Sequence, residues 1–360
     1  MKKMTKIALV LISLVCAVCA FAGTDTLTAC GVPQIVCDLF GASSGALTAG
    51  TMLFPVTEQQ TGIVIAYQNK KMIADEVMPI DKLEGKELSF KYFKRTLGDA
   101  FTVPDTKVGR ASEPNLIHLS GEEVADFVVA HGLEDLIPKE DLERVVDMSR
   151  YSNTRLEYMM NLLLLGREKE VADIVQNASN YGTGCSHTYE NAEGMGATGF
   201  DIVATIMEYL EKPFARPNIL GMGAAAYHKL RMDPNVLKAI YPTSNGSGVA
   251  TRQQLCELFE VDKIIVGESR VNTTKNSKTP TLERCWGSNI WGHYQEPLSS
   301  LKEGIAWGIT AQVGDRIVEV IDKPEKGLKG SELVKVGFYQ KPVVTAKDAG
   351  FLLKNVVKTA

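Results

Sequence analysis

An α+β fold follows from three patterns in this chain. Residues 86–95 (KELSFKYFKR) set Leu88, Phe90 and Tyr92 against Ser89 and Lys91, the period-two alternation of a half-buried strand. Residues 138–180 carry Leu156, Met160, Leu163, Val171 and Ile174 on one helical face. Strand-type runs close the chain at 316–322 (RIVEVID), 332–338 (ELVKVGF) and within 343–357.

The elements are expected in this order. Residues 1–22 (MKKMTKIALVLISLVCAVCAFA) have the build of a secretory signal. Lys2, Lys3 and Lys6 precede an apolar run from Ile7 to Ala20, and Ala20-Phe21-Ala22 is a small-residue cleavage site. The run is short for a bilayer span, which needs about 20 residues. The stretch 23–60 contains GASSGALTAG and reads as a flexible linker, so the folded body is expected from about Met52. A short apolar β-type run covers 61–67, and 72–80 (MIADEVMPI) follows.

The strand at 86–95 leads into a polar excursion holding Gly98, Pro104, Asp105 and Gly109, and the chain returns through 115–119 (NLIHL). This extended hairpin, 86–119, has too few apolar residues to bury itself and calls for a neighbour. Lys91, Lys94, Arg95, Lys107 and Arg110 make it basic, which suits ion pairs with acidic residues of another subunit. Pro138 is expected to open a long helix, where its missing N–H costs nothing, with a break near Ser149–Asn153. Glu157, Arg167, Glu168, Lys169 and Glu170 fall mostly off its apolar face. The acid pairs Glu122-Glu123 and Glu140-Asp141 read as helix first turns, favoured by the helix dipole. From 198 to 310 the pattern is mixed: a strand at Asn218–Gly223, a helix stopped at Pro234, a helix at Arg252–Phe259 and a strand at Lys263–Glu268.

Composition narrows the function. With 360 residues, 45% hydrophobic and 23% charged, the chain is an ordinary folded protein of two or three domains. A net charge of -4 argues against a protein that grips nucleic acid through its overall charge. Seven cysteines, an odd number, are no disulfide framework: Cys16, Cys19, Cys30 and Cys37 crowd the start, while Cys185, Cys256 and Cys285 lie far apart. An unpaired thiol favours a reducing site of assembly.

The search for chemistry returns little. There is no phosphate-binding G-x-x-x-x-G-K-[ST] and no G-x-S-x-G nucleophile elbow. Gly221-Met-Gly223 lacks the third glycine and the following acid of a dinucleotide fingerprint, and a tight strand-to-helix turn explains it better. Cys185, His187, Cys256 and Cys285 match no zinc spacing. The histidines 118, 131, 187, 228 and 293 are scattered. No catalytic residue, cofactor site or metal site is assigned; the features that remain are those of a protein that works by contact.

In that setting, 65–80 (IAYQNKKMIADEVMPI) resembles the opening of tailed-phage major capsid proteins, where a similar stretch leads from the N-terminal arm into the body. Residues 86–115 resemble the E-loop and its approach, and 132–143 (GLEDLIPKEDLE) with 162–175 resemble the entry to the long spine helix. Residues 215–236 and 255–273 resemble the axial domain, and the tail from Gly314 resembles the strands that close the peripheral domain. The resemblance runs in order over about 61–357. Each motif is loose; their order carries the likeness.

The resemblance implies the Hong Kong 97-type fold. Its parts would be an N-terminal piece of the peripheral domain (61–85), the E-loop hairpin (86–119), the peripheral domain with its spine helix (120–197), the axial domain (198–310) and C-terminal peripheral strands (311–360). It implies a structural protein of an icosahedral phage or prophage head. The partners would be further copies in hexamers and pentamers, a portal, and scaffold or decoration proteins. Double-stranded DNA would be enclosed without sequence-specific binding, and the folded body would need no membrane. The same fold would also serve a nanocompartment shell around a cargo enzyme. The signal-like start, taken at face value, gives instead an exported binding protein or enzyme. Capsid proteins assemble in the host cytoplasm, so residues 1–22 conflict with the resemblance. A start at Met52, an atypical arm or a fused export signal would each resolve the conflict, and the first two are preferred.

Overall fold

The computed structural model describes residues 72–94, 106–108, 110, 113 and 122–357, apart from 84, 86, 145–147, 191–192, 243–247, 275–280, 298 and 302–303. All of these belong to one unit, Phe54–Ala360; the other unit, Met1–Leu53, lies outside the described residues. The signal-like segment, the linker and the run at 61–67 are therefore outside them too.

The described chain opens with α1 (Ala74–Val77), β1 (Ile80–Leu83) and β2 (Ser89–Lys94). Then come β3 (Glu122–Phe127), β4 (Val129–Pro138), α2 (Lys139–Arg144) and α3 (Met148–Val175). A mixed stretch follows: β5 (Ser186–Thr188), α4 (Ile202–Glu211), β6 (Ile219–Gly223), α5 (Ala224–Leu230), α6 (Pro234–Ile240), α7 (Arg252–Phe259) and β7 (Lys263–Gly267). The remainder is β8 (Arg270–Asn272), β9 (Leu282–Arg284), β10 (Ile290–His293), β11 (Gly308–Lys323), β12 (Ser331–Val344) and β13 (Gly350–Lys354).

These strands build a four-stranded sheet, β1-β11-β12-β4, and a five-stranded sheet, β5-β13-β10-β6-β7. Two further pairs, β2–β3 and β8–β9, are antiparallel ribbons. The helix α3, 28 residues and so about 42 Å long, ties the sheets together. Its first half buries Leu156, Met160, Leu163 and Leu164 against Val318, Val334, Val336 and Phe338 of the four-stranded sheet. Its last turns place Val171, Ala172 and Val175 in the core of the five-stranded sheet.

Between those halves sit Arg167 and Glu168, both buried and not on an outer face as the spacing suggested. Tertiary partners explain the difference. The Glu168 carboxyl accepts the Ala74 amide at 2.8 Å, the Ile73 amide at 3.0 Å, the Ser269 hydroxyl at 3.0 Å and the Trp286 indole N–H at 2.6 Å. It thus caps the orphan amides at the start of α1 and pins the turn beyond β7. Arg167 donates to Asp75 and, at 3.4 Å, to the Thr310 hydroxyl. Burial lowers the pKa of its guanidinium, and Asp75 partly restores it.

Several other expectations need correction. Pro138 is the last residue of β4, paired with Ser331, and the helix starts one residue later. No break interrupts Ser149–Asn153, because α3 runs unbroken from Met148. Glu122 and Glu123 lie in β3, opposite Lys94 and Phe93, and not in a helix first turn. The strand that returns to β2 is β3, later in the chain than 115–119, which fall outside the described residues. Finally, β13 leaves β11 and β12 and pairs with β10 and β5 in the other sheet. Phe351, Leu352 and Leu353 are all fully buried there, which a one-face surface strand would not allow.

The five-stranded sheet is built around large rings. Trp286 and Trp291 stack with centroids 4.7 Å apart. A Cβ on Gly221 would lie 2.2 Å from Trp291, and one on Gly267 would lie 2.2 Å from Trp286. Gly223 ends β6 at the turn into α5, where a Cβ would meet the Gly287 carbonyl oxygen at 2.1 Å. The Gly221-Met-Gly223 sequence is thus a packing device at a strand-to-helix turn.

His293 in β10 is 1% exposed, and neither ring nitrogen has a hydrogen-bond partner among the described residues. Burial lowers its pKa from 6.5 to about 4. As pH falls through 6.5 the unfolded chain takes up a proton that the folded chain refuses until about 4. Stability is therefore intact above that window and declines through it, by on the order of 3 kcal/mol. Urea titrations of the protein at pH 7 and pH 4.5 are expected to show this drop, and His293→Phe to lessen it. Equal drops in both proteins would assign the acid sensitivity elsewhere.

Candidate assembly surface

The β2–β3 ribbon has two unlike faces, and strand alternation creates both. On the inner face Phe90 and Tyr92 are buried and stacked, 5.9 Å between centroids. They pack with Val128, Leu301, Ile309 and Val343, which seats the ribbon on β11 and β12. The outer face pairs Ser89 with Phe127, Lys91 with Ala125 and Phe93 with Glu123. Phe93 is 42% exposed and Phe127 67% exposed. An open groove of about 970 Å³ runs beside Lys91, Phe93, Glu123 and Ala125. Exposed aromatics with an interspersed ion pair are the composition of a protein contact.

Of the basic residues named from the sequence, Lys91 and Lys94 fall on this ribbon. Lys91 is exposed and pairs with Glu123 of the same ribbon at 3.1 Å. Lys94 is half-buried near the ribbon's end, and its charge acts on Asp126. Burial works to raise the Asp126 carboxyl pKa, but the Lys341 hydrogen bond, the Phe127 amide and the Lys341 and Lys94 charges outweigh it and hold the value down. Lys107 and Arg110 are exposed, and Arg95 lies outside the described residues. Lys91 thus carries an ion pair inside its own chain, which the sequence reading did not foresee. Phe93 and Phe127 were missed as well. The available signal was Phe93 itself, an aromatic following Tyr92 directly and so out of phase with the buried set.

The other residues considered for chemistry stand apart. Among the described residues no three His, Cys, Asp or Glu side chains gather in a way that could hold a metal. Cys185, Cys256 and Cys285 are free thiols, and burial raises the pKa of each. His131 packs against Phe338 and lies 4.0 Å from Glu170, and His187 sits edge-on to Tyr189. His118 is outside the described residues.

No family model matches the chain. Among curated proteins, the major capsid protein of Pseudomonas phage JBD67 is 34% identical over 304 residues, which covers 84% of this chain and 98% of that one. The major capsid protein of Burkholderia phage BcepMu is 26% identical over 312 residues, covering 82% and 95%. Among solved structures, a phage-related protein from Bordetella bronchiseptica RB50 superposes with a TM-score of 0.64 at 20% identity, over 84% of this chain and 97% of that one.

Proposed function

This chain belongs to the phage major capsid proteins, and on that premise we propose that its β2–β3 ribbon is the contact through which each copy grips the next. It has the Hong Kong 97-type fold, it is a structural protein and not an enzyme, and its place is the wall of the phage head. Copies of it assemble into a capsid lattice.

We infer that the lattice is made of hexamers and pentamers around double-stranded DNA, with a portal at one vertex and scaffold or decoration proteins in attendance. Assembly takes place in the host cytoplasm, where the free thiols stay reduced. Residues 1–22 then act as part of an arm, or precede a start at Met52. Lys91, Lys94, Arg95, Lys107 and Arg110 lend the hairpin a charge complementary to a mildly acidic neighbour. The observation that supports this reading most is the ribbon's outer face, with Phe93 and Phe127 exposed opposite a buried aromatic pair. A nanocompartment shell would use the same fold, but both curated relatives reported above are phage capsid proteins.

The test is negative-stain microscopy of the purified full chain. Icosahedral particles, hexamers or pentamers are the expected result. A clean monomer at high concentration would count against the proposal, as would mature protein in the periplasm beginning at Gly23.

A further inference from the structure

We propose that a pocket at the base of the β8–β9 ribbon receives an acidic side chain from a second copy of this chain, held between Arg270 and Arg284. The proposal rests on the shell reading and adds a specific contact to it.

Arg270 and Arg284 are direct cross-strand partners. They therefore share a face, and both wall a cavity of about 480 Å³. Like charges directly opposite each other destabilise an antiparallel pair. Arginine cannot relieve the repulsion by losing its proton. Among the described residues neither guanidinium has an ion pair to offset it. An arrangement that costs the isolated subunit stability makes sense where an anion completes it.

The backbone beside the two arginines is held in place, while Arg270 itself is exposed and Arg284 half-buried. Ser269, just before Arg270, donates its hydroxyl to the buried Glu168 at 3.0 Å. Cys285, just after Arg284, donates its amide to the Ser269 carbonyl at 3.1 Å. The neighbouring Trp286 indole donates to the same Glu168 at 2.6 Å. Both strand ends at the base of the ribbon are thus fixed to α3. With the strand ends already fixed, a ligand has to order only the two arginine side chains.

The pocket's walls select the ligand. Met72, Leu165 and Ala224 supply apolar surface for a methylene stem. The guanidinium forks match the two oxygens of a carboxylate. Glu268 stands in the same wall, so two positive charges and one negative leave room for one further anion. A phosphodiester chain, with charge on every unit, would be repelled by that glutamate. A second copy can supply the acid, because the chain holds 43 acidic residues against 39 basic ones.

The experiment uses Arg284→Lys in the full chain, which keeps the charge and provides an amine. Labelled (¹⁵N) and unlabelled protein are mixed, assembled without DNA, and coupled with a zero-length carbodiimide. Mass spectrometry is expected to find the new amine joined to an Asp or Glu of the other isotope. Links confined to one isotope, or none in well-formed particles, would overturn the contact.

A second variant, Arg270→Ala with Arg284→Ala, is expected to cut particle yield at least ten-fold. Its unassembled subunit should melt at or above the wild-type temperature, because the like-charge pair is gone. A purely structural role for the pair predicts the opposite, a lower melting temperature. A defect seen only in DNA-filled particles would assign the pair to phosphate and reject the proposal. Wild type runs alongside: if it never assembles, the shell reading fails, and the contact with it. If it assembles and the double variant does so equally well, the contact alone fails.

Discussion

Glu168→Ala is expected to destabilise the unassembled subunit by about 4 kcal/mol, a large share of the roughly 5–15 kcal/mol that holds a domain folded. The side chain is fully buried and receives four donors from three separate stretches of chain. Alanine leaves the Ile73 and Ala74 amides, the Ser269 hydroxyl and the Trp286 indole without their acceptor. An unsatisfied buried donor costs about 1–3 kcal/mol, and the four share one site, so their costs do not simply add. Glu168→Gln keeps one acceptor oxygen but turns an NH₂ toward groups that already donate, and an intermediate loss is expected. Urea midpoints of the three proteins at neutral pH provide the measurement. A loss below about 1 kcal/mol for the alanine variant would mean that other groups or water already satisfy these donors.

The same site marks where sequence reading stops. Local signals were legible where local physics decides. Thr251 caps α7 and exchanges hydrogen bonds with Gln254 in a capping box, so the helix at Arg252–Phe259 announces itself within four residues. The β-branched run in Lys263–Gly267 gives its strand in the same way. Phe90 and Tyr92 show their burial by alternation alone. Glu168 and Arg167 could not be read so. Their partners lie about a hundred residues away in sequence, and a charged residue on a helix reads as surface until those partners are known. β13 is similar: Gly350–Lys354 is plainly a strand, but only pairing with β10 decides which sheet it joins. The proposed contact surface was half legible. Its charge was visible in Lys91, Lys94 and Arg110, while Phe93 and Phe127 needed the register of β2 on β3 to appear on one face.

Phe93→Ser combined with Phe127→Ser is expected to abolish particle formation while leaving the subunit folded. Phe127 is largely in solvent in the single chain, at 67% exposure, and Phe93 partly so, at 42%, so their loss should change subunit stability by no more than about 1 kcal/mol. Buried in a contact, each aromatic can carry about 2 kcal/mol or more. Every copy in a closed shell would use this face, so the loss recurs at each contact and the lattice has no intact site from which to grow. Deleting 96–113 between β2 and β3 should give the same result by removing the excursion beyond the ribbon. Melting temperature and particle counts by negative stain separate the effects. Wild-type particle numbers from either variant would show that the ribbon is not the grip between copies. A lowered melting temperature in the double variant would show instead that the two rings pack within their own chain.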